Sequence, residues 1–169
     1  CGVKAVDKVK YANEKGIDFI ICGHHRPGDK LPEAIAVLDP KREDCNYPYD
    51  ELCGCGVGFK LIQALSTHKG QPFEELRPYL DLVATAIAAD IVPMTGENRI
   101  LAFHGLEVIN TKPRPGIQAI IQQLDKDILT ITDVVFVIAP RINAAGRMKH
   151  GLYAVELLSE KDLDKAEVF

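Results

Sequence analysis

Apolar positions along the chain change period several times, and each change marks an element. Val3, Val6, Val9 and Tyr11 to Ala12 recur at helical spacing, which predicts a helix over residues 3–14 that Gly16 ends from the C′ position. Residues 17–22 form a continuous apolar run after that stop, the pattern of a buried parallel strand rather than a half-exposed one. A loop over residues 23–31 follows. Residues 35–38 are a second short β-type run, and Asp39-Pro40 ends it before the turn-rich residues 41–49. Helix, strand, loop and strand in this order predict an α/β sheet.

From Asp50 onward helical periodicity takes over. The pattern predicts helices over residues 57–65, after glycines 54, 56 and 58, over 73–89, and over 97–110, after the break at Pro93 and Gly96. Two shorter helices follow at 114–124 and 130–138. Thr130 with Asp133 three residues on is a capping-box variant that starts the second. Residues 152–169 read as helical to the end, and no internal repeat is visible.

A chain of 169 residues is one domain or a large piece of a bigger protein. With 47% hydrophobic and 26% charged residues it is globular rather than disordered, and its apolar runs fall far short of the ~20 residues that span a bilayer. Five cysteines, at 1, 22, 45, 53 and 55, make a poor disulfide framework and predict a reducing cytoplasm. No targeting peptide is visible at the start. The first helix lacks a strand leading into it, which predicts a piece cut from a longer protein, with apolar surface left bare where the rest would dock.

Net charge is −4, which argues against a nonspecific nucleic-acid coat, but the distribution is uneven. Residues 112–150 carry six Lys and Arg against three acids, whereas the first 110 residues carry twelve bases against sixteen acids. Any contact with a polyanion is therefore expected late in the chain.

Three places could carry chemistry. Cys22-Gly23-His24-His25-Arg26-Pro27-Gly28 sets two adjacent histidines just after a predicted buried parallel strand, where open α/β sheets bind ligands. One imidazole can hold a metal while its neighbour meets a substrate oxyanion; the bland alternative is a polar surface loop. Asp90 interrupts the apolar residues 82–92, and a buried carboxylate must be paired, hydrogen-bonded or metal-bound, unless it merely caps the turn at 91–94. Asp81 reads as an exposed helix residue. In residues 140–148, Arg141, Asn143 and Arg147 stand among small residues in a stretch free of acids, as a loop binding phosphate would require, although paired arginines are also ordinary solvated charge. Cys45 with Cys53-Gly54-Cys55 has no fourth ligand at zinc-finger spacing. The glycines at 54, 56 and 58 lack the dinucleotide-loop spacing and serve tight helix packing, and Gly96 to Arg99 reads as a turn and helix start, with Glu97 near the dipole.

Cys1-Gly2, residues 19–32 around the histidine pair, 52–61, 90–99 and 140–148 together resemble the DHH phosphoesterase family across nearly the whole chain. The resemblance implies a parallel α/β domain holding two metal ions, joined by a helical segment to a second domain that completes the cleft. Residues 1–110 would be the C-terminal part of the catalytic domain, without its first strands and motifs, and 111–169 the helical connection. By the same resemblance His24 and Asp90 would ligate metal, His25 would contact the scissile phosphate, and Arg141, Asn143 and Arg147 would line the substrate side. Mn²⁺ suits mixed imidazole and carboxylate ligands better than Mg²⁺, which remains an alternative.

The implied activity is a 5′ to 3′ exonuclease that cuts single-stranded DNA to 5′-mononucleotides in recombination and repair. The alternatives are a phosphoesterase for short oligonucleotides, cyclic dinucleotides or pyrophosphate, and a non-catalytic nucleic-acid-binding module. Two departures bear on this choice. The family's aspartate-rich first motif and the aspartate before Cys1-Gly2 are absent, so the chain as given is expected to be inactive. Its Asp-His-His reads Gly23-His24-His25, so one supporting carboxylate is missing from position 23.

Overall fold

The computed structural model of the chain describes residues 2–148 and 151–169. Helix α1 spans Val6–Glu14, starting later than its apolar pattern because Val3 sits buried in a turn ahead of it. Lys15 closes the helix, and Gly16 follows at φ +69, a left-handed conformation that a side chain would strain.

Strands β1 (Ile20–Cys22) and β2 (Ala36–Leu38) pair in parallel, with Ile20 opposite Ala36 and Cys22 opposite Leu38. Residues 23–35 make the long crossover that a parallel pair needs. The expectation of burial on both faces fails for β1. Ile21 is buried, but Ile20 on the opposite face is 58% exposed. Helix α2 packs on β1, while Ile17, Ile20 and Ile35 are each exposed.

Helix α2 covers Gly54–His68 and includes glycines that were expected to precede it, because Cys53 serves as N-cap, its Sγ accepting from the Gly56 N–H at 3.3 Å. The single helix expected over 73–89 is divided into two 3₁₀ turns, Phe73–Glu75 and Arg77–Tyr79, followed by α3 (Leu80–Asp90). Pro78 has no N–H to continue a helix from the preceding turn. Helices α4 (Gly96–Thr111) and α5 (Pro115–Ile121) lie close to their predicted positions.

Helix α6 (Ile131–Asp133) begins at the predicted capping box, where the Asp133 carboxylate accepts from the Thr130 N–H at 2.6 Å and its hydroxyl at 2.7 Å. A π turn, Val134–Ile138, leads directly into α7 (Ala139–Met148). Pro140 lacks the N–H that would bond the carbonyl of residue 136 and its ring crowds that carbonyl, so a widened turn ahead of it is the natural accommodation. The loop expected around Arg141 to Arg147 is thus a helix. The C-terminal helix expected over 152–169 is interrupted as well: α8 (Gly151–Ser159) stops where Glu160 accepts the N–H groups of Lys161 and Asp162, and Asp162 then caps α9 (Leu163–Ala166).

Helix α3 lies at the centre. Its Leu80, Val83 and Ile87 pack with Cys53, Phe59, Ala102 and Val108, while Ala84 and Ala88 join a second cluster with Ile109, Ile117, Ile138 and Leu157. A helix buried on both sides carries few polar residues, and α3 conforms except at Asp81, Thr85 and Asp90. Asp81, expected at the surface, is fully buried: the Arg114 guanidinium donates to both its oxygens, at 2.8 and 2.7 Å, and the Arg114 N–H adds a third bond at 3.2 Å. Helix α4 crosses α3 at Gly105, where a Cβ would lie 2.2 Å from the Leu80 carbonyl oxygen.

Candidate functional site

Three element ends meet around His24. Only Gly23 separates it from the end of β1, so the strand delivers it to the carboxyl edge of the sheet, where open α/β folds bind ligands. Its ring lies against the first residue of α2, since a Cβ on Gly54 would come within 3.0 Å of His24 Nδ1. A glycine at 54 therefore lets the imidazole seat there. On the other side, His24 Nε2 stands 3.6 Å from Oδ2 of Asp90, the last residue of α3. That is longer than a charge-assisted hydrogen bond, so the two groups face one another without closing a bond. The His25 ring packs against His24 at a tilt of 42°, with centroids 4.1 Å apart. His24 is largely covered and His25 exposed.

Asp90 differs from the buried carboxylate its apolar surroundings led us to expect: its side chain is 43% exposed. Nor does it cap the following helix, whose N-cap is Thr95. Its position is locally costly twice over. A carboxylate at a helix C-terminus opposes the macrodipole by about 0.3–1 kcal/mol. The next residue, Ile91, is β-branched yet left-handed at φ 53 and ψ 38, a conformation costing roughly 1–2 kcal/mol. Strained backbone of this kind gathers at functional sites.

His24 and Asp90 are two donors of the types a divalent transition metal accepts. Among the described residues no group of three or more His, Cys, Asp and Glu side chains is gathered for a metal ion. The pair fits one part of a metal site, and further ligands must come from elsewhere. Cys53 is unsuited to that role: burial, and to a smaller degree the Asp90 charge, push its thiol up, so it stays protonated at neutral pH.

The candidate residues of the 140–148 segment lie on α7. Arg141 is an exposed helical residue whose Nη1 donates to the Ile120 carbonyl at 3.1 Å and to Gln123 Oε1 at 3.3 Å. Asn143 and Arg147 are exposed on α7, which packs against α3. Cys1 lies outside the described residues. Two participants escaped the sequence patterns. Asn98, fully buried, donates to the carbonyls of Glu51 at 2.6 Å and Pro93 at 3.0 Å, tying the approach to α2 to the turn after Asp90. Asp39 is buried beside Gly23. An Asp-Pro pair ending a strand reads as turn chemistry, and nothing local marks its side chain as inward.

Comparison with known proteins decides the family. The model for the DHH family, N-terminal domain, matches residues 1–87, about half of the chain. The chain belongs to the DHH family. The match includes the His24-His25 pair and the start of α2 and stops three residues short of Asp90. The chain is 42% identical over 168 residues to the single-stranded-DNA-specific exonuclease RecJ of Bacillus subtilis, and 37% identical over 179 residues to that of Escherichia coli. These alignments take in 98% and 99% of this chain but only 21% and 31% of the two relatives. A crystal structure of exonuclease RecJ bound to manganese superposes with a TM-score of 0.85 at 31% identity, over 99% of this chain and 42% of that one. The chain thus spans between a fifth and a third of the length of these curated relatives.

Proposed function

We propose that the protein carrying this chain is a metal-dependent exonuclease acting on single-stranded DNA, releasing 5′-mononucleotides from the 5′ end. The observation that carries this reading is the convergence of His24 and Asp90 at the carboxyl edge of the sheet in a DHH-family chain whose relatives are RecJ exonucleases. RecJ structures bound to Mn²⁺ and to Mg²⁺ match the chain, which supports either ion as cofactor.

In this reading His24 and Asp90 each give one ligand to a bound divalent metal, with other ligands lying outside the gathered residues. The metal supplies Lewis-acid stabilisation of the phosphate and an activated water. Gly54 leaves room for the His24 ring beside the start of α2. His25, exposed and packed against the His24 ring, meets the scissile phosphate. Arg141, Asn143 and Arg147 take the DNA side; among the described residues, hydrogen bonds from Nη1 to the Ile120 carbonyl and Gln123 hold the Arg141 guanidinium in place. Residues 1–110 belong to the catalytic domain and 111–169 form its helical continuation. A role in recombination and repair in the cytoplasm follows from the same reading; among the described residues no helix is long and apolar enough to cross a membrane.

The test is Mn²⁺-dependent release of mononucleotides from 5′-phosphorylated single-stranded DNA by the whole protein. His24→Ala and Asp90→Ala should each lower the rate by at least about 100-fold while leaving the melting temperature within a few degrees. Full activity in both variants would show that the pair is not the site. The acidic balance of the first 110 residues favours one competing reading, a phosphoesterase for short oligonucleotides or cyclic dinucleotides. Faster turnover of a dinucleotide than of a long strand would establish that alternative.

A further inference from the structure

The missing side chain at position 23 leaves no empty space. A Cβ placed on Gly23 would lie 2.8 Å from Asp39 Oδ2, 2.8 Å from Val3 Cγ1 and 3.6 Å from Asp39 Cγ. The Asp39 carboxylate therefore occupies the position a residue-23 side chain would take. The strand register explains why: Cys22 pairs with Leu38, and the Gly23 N–H donates to the Leu38 carbonyl at 2.8 Å, so positions 23 and 39 leave their strands side by side.

Asp39 is 3% exposed, and its two oxygens differ. Oδ1 accepts from the Lys41 N–H at 3.0 Å, which is the strand-ending turn. Oδ2 is buried without a partner among the described residues, and it points at the residue that precedes His24. A buried carboxylate oxygen without a donor is expensive, and asparagine could make the same turn through its own Oδ1 without carrying a charge. The turn alone does not account for a carboxylate here.

We propose that Asp39 is a positioning residue for the His24 loop, supplying from the end of β2 the carboxylate that position 23 lacks. Positions 23 and 39 form one exchangeable unit, in which a carboxylate stands at either position but not at both. The role in metal binding rests on the reading of His24 as a ligand; the exchange itself rests on the close approach of positions 23 and 39 and on the repulsion of two carboxylates placed there.

Four forms of the whole protein test both parts: wild type, Gly23→Asp, Asp39→Asn, and the double variant Gly23→Asp with Asp39→Asn. Melting temperature without metal reads the exchange. Gly23→Asp alone forces two carboxylates and Val3 into one space and should lower Tm by roughly 2–12 °C, and adding Asp39→Asn, which leaves the volume unchanged but removes the second charge and offers an amide donor to the new carboxylate, should restore the electrostatic share of that loss. Mn²⁺ affinity, read by electron paramagnetic resonance of the free ion, tests the positioning role. Asp39→Asn, nearly isosteric, should weaken binding by about 10–100-fold, and the double variant should return to within about threefold of wild type.

A double variant that melts no higher than Gly23→Asp alone would overturn the exchange. Unchanged Mn²⁺ affinity in Asp39→Asn, or a double variant binding no better than that single variant, would overturn the positioning role. If wild type itself binds no Mn²⁺, the metal reading of His24 fails and the positioning role falls with it, while the melting data still decide the exchange.

Discussion

Replacing Arg114 by alanine should destabilise the protein severely, and the structure sets the scale. Asp81 is fully buried and Arg114 nearly so, with side-chain exposures of 1% and 17%. Removing the guanidinium deletes its bonds to both Asp81 oxygens and those from Nη1 to the Leu158 carbonyl at 3.0 Å and from Nη2 to the Pro78 carbonyl at 3.5 Å. Among the described residues, Asp81 would keep only backbone partners, the N–H groups of Leu82 and of residue 114. The attraction of such a pair is about 4 kcal/mol at an effective dielectric near 20, against a desolvation penalty of similar size, so the intact pair is close to neutral. Stranding one charge is not neutral, and costs about 3–5 kcal/mol. For a domain of this size that lowers the melting temperature by roughly 6–20 °C. Thermal unfolding of wild type, Arg114→Ala, Arg114→Lys and the double variant Asp81→Leu with Arg114→Met measures it. The lysine form should recover only part of the loss, because it cannot make the two-pronged contact, whereas the double apolar form should melt near wild type. A loss below about 1 kcal/mol in Arg114→Ala would refute the reasoning.

Two further outcomes follow from packing and charge. Gly105→Ala, which in an exposed helix interior would add about 1 kcal/mol of stability, should instead cost roughly 1–3 kcal/mol by urea denaturation, because its Cβ would meet the Leu80 carbonyl and the Ala84 methyl. Hydrogen bonds from Lys126, then from Thr130, hold the Asp133 carboxyl well below the usual carboxylate range. A lowered folded value means that its stabilisation is present above about pH 4, the unfolded value, and fades as the pH falls further toward the folded one. Hydrogen exchange of residues 131–138 should therefore separate wild type from Lys126→Ala near neutral pH, with the gap closing in strong acid; a gap independent of pH would contradict this.

What could be read along the chain was local. The stop at Gly16, the histidines placed just after a strand, the Asp39-Pro40 strand end and the Thr130 capping box each depend on neighbours within a few residues. Contacts between distant positions had no such signal. Asp81 reads as a surface acid because its partner Arg114 is thirty-three residues away, and Asp39 as a turn residue because only the strand register sets it beside Gly23. Asp90 stood out for a partly mistaken reason, since the apolar run around it reflects burial of the rest of α3 while the carboxylate itself emerges at the helix end. Around Arg141, small residues with two arginines suit a loop and a helix equally, and the helical hydrogen bonds that choose between them are not a matter of composition.

Helix α3 also has mechanical consequences. Its eleven residues make a rod about 16 Å long, anchored near one end by the Asp81 clamp to α5 and α8 and carrying Asp90 at the other. Close packing on both flanks leaves such a rod little freedom to bend. Any displacement of the C-terminal helices would therefore move Asp90 relative to His24 through a lever, and the spacing of that pair would report the load placed on a distant part of the molecule.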